Sequence, residues 1–178
     1  MTVRSAPRLE TERLILRQFD EADFDAHLAI MQDPGVNRFL GPPKSREEIW
    51  RGALCWVGMW SVIGIGGWMV ERKFDGRLVG HVGLLDAKRD LGRDMGGKPE
   101  MGWIFAREVH AQGIAREACE AVLEWIRTSL GPTALWAMIS VGNDSSLKLA
   151  RRLGFEPLGD YVYRNDPVIL LERPISSG

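Results

Sequence analysis

Gly113 stands between a run of strand-forming residues, Glu100-Met101-Gly102-Trp103-Ile104-Phe105, and a helical pattern that opens at Ile114. The first turn of a helix carries unpaired backbone N–H groups and the positive end of the helix dipole, so this junction suits an anion. A residue without a side chain at 113, with small Ala111 and Ala115 beside it, lets a phosphate come close to those amides. A plain loop glycine is the competing account of this junction alone. A second segment, Asn143 to Phe155, places Asn143 and Ser146 three apart at a helix start and follows them with Lys148, Arg151 and Arg152. It offers amide, hydroxyl and cationic groups to a polar ligand. Taken by itself, it also reads as a capped helix with a solvated basic face. Neither G-x-x-x-x-G-K-[ST] nor G-x-G-x-x-G occurs at Gly113, which disfavours a nucleotide-binding domain.

The elements that must hold these groups follow from hydropathy periods and breakers. Leu14 to Arg17 reads as a short strand. Asp20 or Asp23 then caps a helix through Phe24, Leu28 and Met31, which Asp33-Pro34-Gly35 ends. Ser45 with Glu48 is a capping-box pattern that starts a Trp-rich helix running toward Ser61. Trp68-Met69-Val70 and Leu78 to Leu84 form a hairpin around Asp75-Gly76, and Asp86 to Lys98 is a long surface loop. After the strand at 100–105, Ile114, Ala118, Ala121, Val122 and Trp125 mark the apolar face of a helix. Leu135 to Ile139 is a strand, and Leu147, Ala150 and Leu153 give a helix that Gly154 stops. Val162 and Val168 to Leu171 close the chain around an Asn165-Asp166-Pro167 turn. The order is β-α-α-β-β-β-α-β-α-β-β, an α/β (α+β) single domain over 1–178 with its core at 9–172. About seven strands in a mixed sheet are flanked by about four helices on both faces.

Composition narrows the partners. The 178 residues, 45% apolar and 26% charged, fit one folded domain. The formal charge of −1 gives no global basic field for nucleic acid. Cys55 and Cys119 lie far apart without a CxxC or Cys/His spacing, so neither a disulfide scaffold nor a structural metal site is expected. Met1 to Glu12 has no apolar signal region, and no run of 18 apolar residues occurs, so the expectation is a cytoplasmic protein that does not engage a membrane.

The opening Glu10-Thr11-Glu12-Arg13-Leu14-Ile15-Leu16-Arg17, Gly80-His81-Val82-Gly83, Glu100-Met101-Gly102-Trp103, the His110–Ala118 loop and the Asn143–Phe155 segment together resemble the GNAT N-acetyltransferase superfamily, in its RimJ/RimL-like branch. The resemblance covers nearly the whole chain. It departs from the family pattern at His110 and Ala111, where Gln/Arg or Trp-Gly usually precede the loop glycine. It implies acetyl-CoA as co-substrate and an amine acceptor; no metal is expected, and a homodimer is among the partners to test. By this likeness Trp103, Ile104 and Phe105 hold the pantetheine arm. Gln112, Gly113, Ile114, Ala115 and Arg116 give backbone amides to the pyrophosphate, Asn143 contacts the pantetheine, and Arg151 or Arg152 reaches the adenosine phosphate. Ser146 occupies the position that faces the thioester sulfur.

Acetyl transfer from a thioester to an amine needs a neutral amine, an oxyanion stabiliser and a proton for the departing thiolate. An N-terminal amine, with a pKa of about 7.7–8.0, asks less of a base than a lysine amine near 10.4. Glu100, on one strand face with Gly102 and Ile104, is the favoured base, acting directly or through water, and His81 is its rival. A backbone N–H near Ile104 is expected to polarise the thioester carbonyl. Ser146 is the expected acid, with Tyr161 and Tyr163 as alternatives, and a thiol with a pKa of about 8.5 needs little of it. Trp50, Trp56, Trp60 and Trp68 are divided between core and an acceptor pocket made by the first two helices and the 86–98 loop, where Asp86, Asp90 and Asp94 lie. The two functions to separate are an N-acetyltransferase and a non-catalytic acyl-CoA-binding or sensing module.

Overall fold

A computed structural model describes residues 5–174. Eight strands run β1 (Leu9–Glu10), β2 (Leu14–Arg17), β3 (Gly67–Arg72), β4 (Arg77–Leu85), β5 (Glu100–Phe105), β6 (Leu135–Ser140), β7 (Glu156–Tyr163) and β8 (Asp166–Arg173). Five α-helices are α1 (Phe24–Gln32), α2 (Pro34–Asn37), α3 (Arg46–Ile63), α4 (Ile114–Ser129) and α5 (Asp144–Arg152). One sheet contains every strand in the order β1-β2-β3-β4-β5-β6-β8-β7. All neighbours are antiparallel except β5 and β6.

Alternation fixes the two faces. Leu14, Leu16, Trp68, Val70, Val82, Leu84, Met101 and Phe105 turn to one side, where they bury Ile114, Ala118, Val122 and Ile126 of α4 and Ala150 of α5. The i, i+4 spacing of the four α4 residues is the helical stripe such a face requires. On the opposite side Met69 packs with Phe24 of α1 and with Ile49 and Ala53 of α3. Farther along that side, Trp136, Val168 and Leu170 form a separate cluster to which Leu91 and Met95 of the 86–98 loop contribute. Helices on both faces and a single mixed sheet are as the sequence implies.

Several boundaries differ. Asp20 caps a 3-10 turn, Glu21–Asp23, rather than the helix itself, and Asp23 is held by Arg17 through two hydrogen bonds of 2.8 and 2.7 Å. Pro34 does end α1, but Asp33 accepts the Gly35 N–H at 2.7 Å and caps a further four-residue helix with proline in its first turn. The Ser45–Glu48 capping box is present in both directions, and Gly64, at φ 74°, ends α3. The last turn is Arg164-Asn165, both at positive φ, so β8 begins at Asp166 and the Asp-Pro pair lies in the strand. An eighth strand, β1, is two residues long and pairs Leu9 with Leu16.

Candidate active site

The central feature is where β5 and β6 part. Glu100 opposite Trp136 is the one register pair that joins them among the described residues, and the Trp136 N–H donates to the Pro99 carbonyl at 3.1 Å. Past that point the β6-facing edge of β5 has no strand partner. Which groups occupy the edge follows from the pairing on the other side. Ala106 N–H donates to Val79 O at 2.9 Å, and the β4–β5 register runs residue for residue from Gly80 opposite Phe105 to Leu85 opposite Glu100. Hydrogen-bonding direction alternates along an antiparallel pair, so the amides of Gly102 and Ile104 are spent on β4. The amides of Trp103 and Phe105 face the opening. The Phe105 carbonyl takes His110 Nε2 at 3.0 Å, which ties the following loop to the strand end. Of the three residues expected at a pantetheine arm, Trp103 and Phe105 therefore offer main-chain groups, and Ile104 offers its side chain, on the same face as His81.

The loop after β5 delivers the chain to α4 with Ala111 and Gly113 at φ 60° and 76°. Gly113 is the cap residue of α4, and no side chain among the described residues caps this helix. By contrast, Ser45 caps α3 and Asn143 caps α5 with side-chain oxygens. The first-turn N–H groups of Ile114, Ala115 and Arg116 are thus left for an outside acceptor, and α4 presents its positive dipole end with them. A Cβ built on Gly113 would stand 3.5 Å from Arg13 Nη2, so the glycine is required by its left-handed backbone rather than by crowding. This uncapped, exposed start beside the parting strands fits the pyrophosphate and pantetheine of an acyl-CoA.

Asn143 and Ser146 come together at the α5 start. Asn143 Oδ1 accepts from Ser146 N at 3.2 Å and from Ser145 Oγ at 3.1 Å, so its oxygen is a cap and its amide NH2 is what remains for a ligand. Arg152 lies at the other end of α5, exposed, about 13 Å along the axis from Asn143. Arg116 pairs with Glu120 at 2.7 Å on the α4 surface.

Glu100 and His81 share one face of the sheet but stand at different ends of it, His81 opposite Ile104 and Glu100 opposite Leu85. Glu100 is 4% exposed, and Arg89 from the 86–98 loop grips both its oxygens, Nε at 2.6 Å and Nη2 at 3.0 Å. His81 is equally buried, and its ring meets Trp56 and His27 edge to face at 4.7 and 5.1 Å between centroids. Burial pushes the His81 pKa well below its ordinary value, and nearby His27 and Lys44 add to it. Tyr161 accepts from Arg93 at 2.6 Å on the far strand β7, away from the opening. Of the four tryptophans, Trp60 and Trp68 are buried against each other and Trp125 on the α4 side. Trp50 and Trp56 lie on the side of His81, with Trp50 against Phe19 and Phe24. Arg89 and His27 carry no motif that a sequence reading can find, since each acquires its place only through pairing across the sheet.

The family model described as an acetyltransferase (GNAT) domain matches residues 13–156. The N-acetyltransferase YoaA of Bacillus subtilis, itself uncharacterized, is 28% identical over 167 residues, covering 89% of this chain and 90% of that protein. A GnaT-family acetyltransferase structure from Bordetella pertussis superposes with a TM-score of 0.83 at 29% identity, over 94% of this chain and 99% of that one. The structure of RimL, the ribosomal L7/L12 α-N-protein acetyltransferase, in complex with coenzyme A shares the fold with a TM-score of 0.77 at 16% identity, over 97% and 100%.

Proposed function

The chain belongs to the acetyltransferase (GNAT) family, and from that premise we propose that it transfers the acetyl group of acetyl-CoA to a primary amine by direct attack within a ternary complex. The acceptor is a protein N-terminal α-amine or a small-molecule amine. The observation that carries this reading is the uncapped start of α4 next to the single-point junction of β5 and β6. One feature supplies amides and dipole for a pyrophosphate, and the other supplies an open strand edge for an extended polar arm.

Acetyl-CoA, when bound, supplies an activated thioester carbonyl and a thiolate leaving group. Gln112, Gly113, Ile114, Ala115 and Arg116 hold the pyrophosphate through main-chain N–H groups. Trp103 and Phe105 orient the pantetheine arm through the free edge of β5, and their amides are the donors placed to take the charge that develops on the carbonyl oxygen. Ile104 walls the same position. The Asn143 amide NH2 points the arm from the α5 side, and Arg152 steers the adenosine phosphate from a distance. Ser146 donates from its hydroxyl to the departing sulfur. For the amine proton, Glu100 acts through water while Arg89 fixes its orientation, and His81 is the second acceptor. An α-amine is partly neutral near pH 8, so a modest base suffices.

A thiol-release assay across peptides, amino acids, polyamines and aminoglycosides tests the proposal. Release of CoA above buffer with one amine class, lost in Gly113→Val and reduced in Glu100→Gln, is the expected result. Binding of acetyl-CoA without release on any amine would point instead to an acyl-CoA-binding or sensing module.

A further inference from the structure

We propose that Arg13 is a positioning residue for the acyl-CoA site: it fixes the direction of the Gly113 amide and thereby the affinity for the pyrophosphate. The inference rests on the reading of the α4 start as that site. Arg13 lies in the link between β1 and β2, 99 positions away in sequence from the loop residue it contacts. Its Nη1 donates to the Gln112 carbonyl at 3.0 Å, while its Nε donates to Glu117 Oε2 at 2.6 Å. The Arg13 backbone N–H and the Thr11 hydroxyl both donate to the other oxygen, Glu117 Oε1. One guanidinium thus joins the loop before the cap residue to the first turn of the helix after it.

The consequence for the ligand follows from peptide geometry. The peptide between Gln112 and Gly113 is trans and planar, so its carbonyl and its N–H point to opposite sides. Holding the Gln112 oxygen at the Arg13 guanidinium aims the Gly113 N–H away from that guanidinium. Gly113, at φ 76°, has no side chain to resist a turn of this peptide, so the hydrogen bond to the Gln112 carbonyl sets its direction. Arg13 is what grips it. Glu117 adds a second effect, because an unpaired carboxylate in the first turn would repel a bound phosphate. Partial burial works to raise the Glu117 pKa, but the hydrogen bonds from Thr11 and Arg13 outweigh it and keep the carboxyl below its usual range. Arg13 balances that charge.

The Arg13 side chain is 45% exposed, so the pair itself should matter little to overall stability, and the effect should be read in binding. In calorimetric titration of the full chain with CoA, Arg13→Met should raise the Kd about tenfold, the size expected for losing charge-assisted hydrogen bonds. The KM for acetyl-CoA should rise in step, while kcat at saturating acetyl-CoA and the KM of the amine stay within about twofold. Arg13→Lys keeps a cation beside Glu117 but cannot fork to both partners, so it should keep the parent's thermal stability while its affinity stays low. A Kd within twofold of the parent in Arg13→Met, or full affinity in Arg13→Lys, overturns the proposal. If Arg13→Met does not fold, Arg13→Lys decides alone. Gly113→Val separates the two layers. Unaltered CoA affinity in that variant removes the loop reading itself, whereas weakened affinity there with normal affinity in Arg13→Met removes only the role of Arg13.

Discussion

The rings of His27 and His81 meet edge to face 5.1 Å apart, both about 95% buried, and the Nδ1 atom of each has no hydrogen-bond partner among the described residues. Two imidazoles in that setting are held neutral. Burial pushes the His27 pKa from 6.5 down to about 4, with Asp23 opposing in part, and His81 moves the same way.

Acid sensitivity follows with a definite sign. Between pH 6.5 and 4 the unfolded chain binds more protons than the folded one, so stability is complete above pH 6.5 and falls as pH drops toward 4. His27 alone accounts for about 3 kcal/mol across that window. Carboxyls with depressed values, such as Glu117 and Asp75, lose their contribution below their ordinary values of 4.5 and 3.8, so comparison of pH 7 with pH 5 isolates the histidines. Urea midpoints at those two pH values should differ clearly in the parent and much less in His27→Leu. An equal difference in both proteins would mean that His27 does not carry the effect.

The Arg89–Glu100 pair should behave as a buried ion pair. Arg89→Met leaves a carboxylate that is 4% exposed without its counter-charge, and a loss of about 3–5 kcal/mol is expected. Replacing both partners by methionine should recover most of that loss, because no buried charge then remains. Denaturant unfolding of the two singles and the double measures it; an additive double would show that the residues do not act as a pair.

How much of the fold and site is legible in the sequence depends on the range of each interaction. The strand at 14–17, the Ser45–Glu48 start, the stripe of α4 and the Gly113 junction are written in residues within a few positions of one another. The free edge of β5 is different. That Trp103 and Phe105 rather than Ile104 present their amides to it depends on the β4 register, which no local pattern encodes. Arg89 meets Glu100 only because the 86–98 loop folds back over the sheet, and Arg13 meets Glu117 across 104 positions. Asp33-Pro34 shows a subtler limit: the same proline that stops one helix is well placed in the first turn of the next.

Gly67 and Trp56 test the acceptor side. A Cβ on Gly67 would stand 1.2 Å from Trp56 Cε3, so the indole lies where any other residue would put its side chain. Gly67→Ala must displace the ring, at a cost of about 1–3 kcal/mol. Trp56→Ala should make the alanine at 67 tolerable, so the two changes together should cost less than their sum. Because Trp56 also packs on His81, the ring's displacement should raise the KM of the amine more than that of acetyl-CoA. Equal shifts of both constants would place Trp56 outside the acceptor pocket.

Asn143 has two separable jobs in one side chain. Its oxygen caps α5 by accepting the Ser146 N–H, and its NH2 is the group available to the pantetheine arm. Asn143→Ala removes both, so it should lower stability by about 1 kcal/mol and weaken CoA binding as well. Asn143→Asp keeps an oxygen cap and adds a negative charge favourable to a helix start, but it has no N–H to donate. Its melting temperature should match or exceed the parent's while its affinity for CoA stays as low as that of the alanine variant. If Asn143→Asp instead bound CoA as the parent does, the side chain would act on the ligand only by ordering α5, and Ser146 would be left as that helix's sole contact with the thioester end.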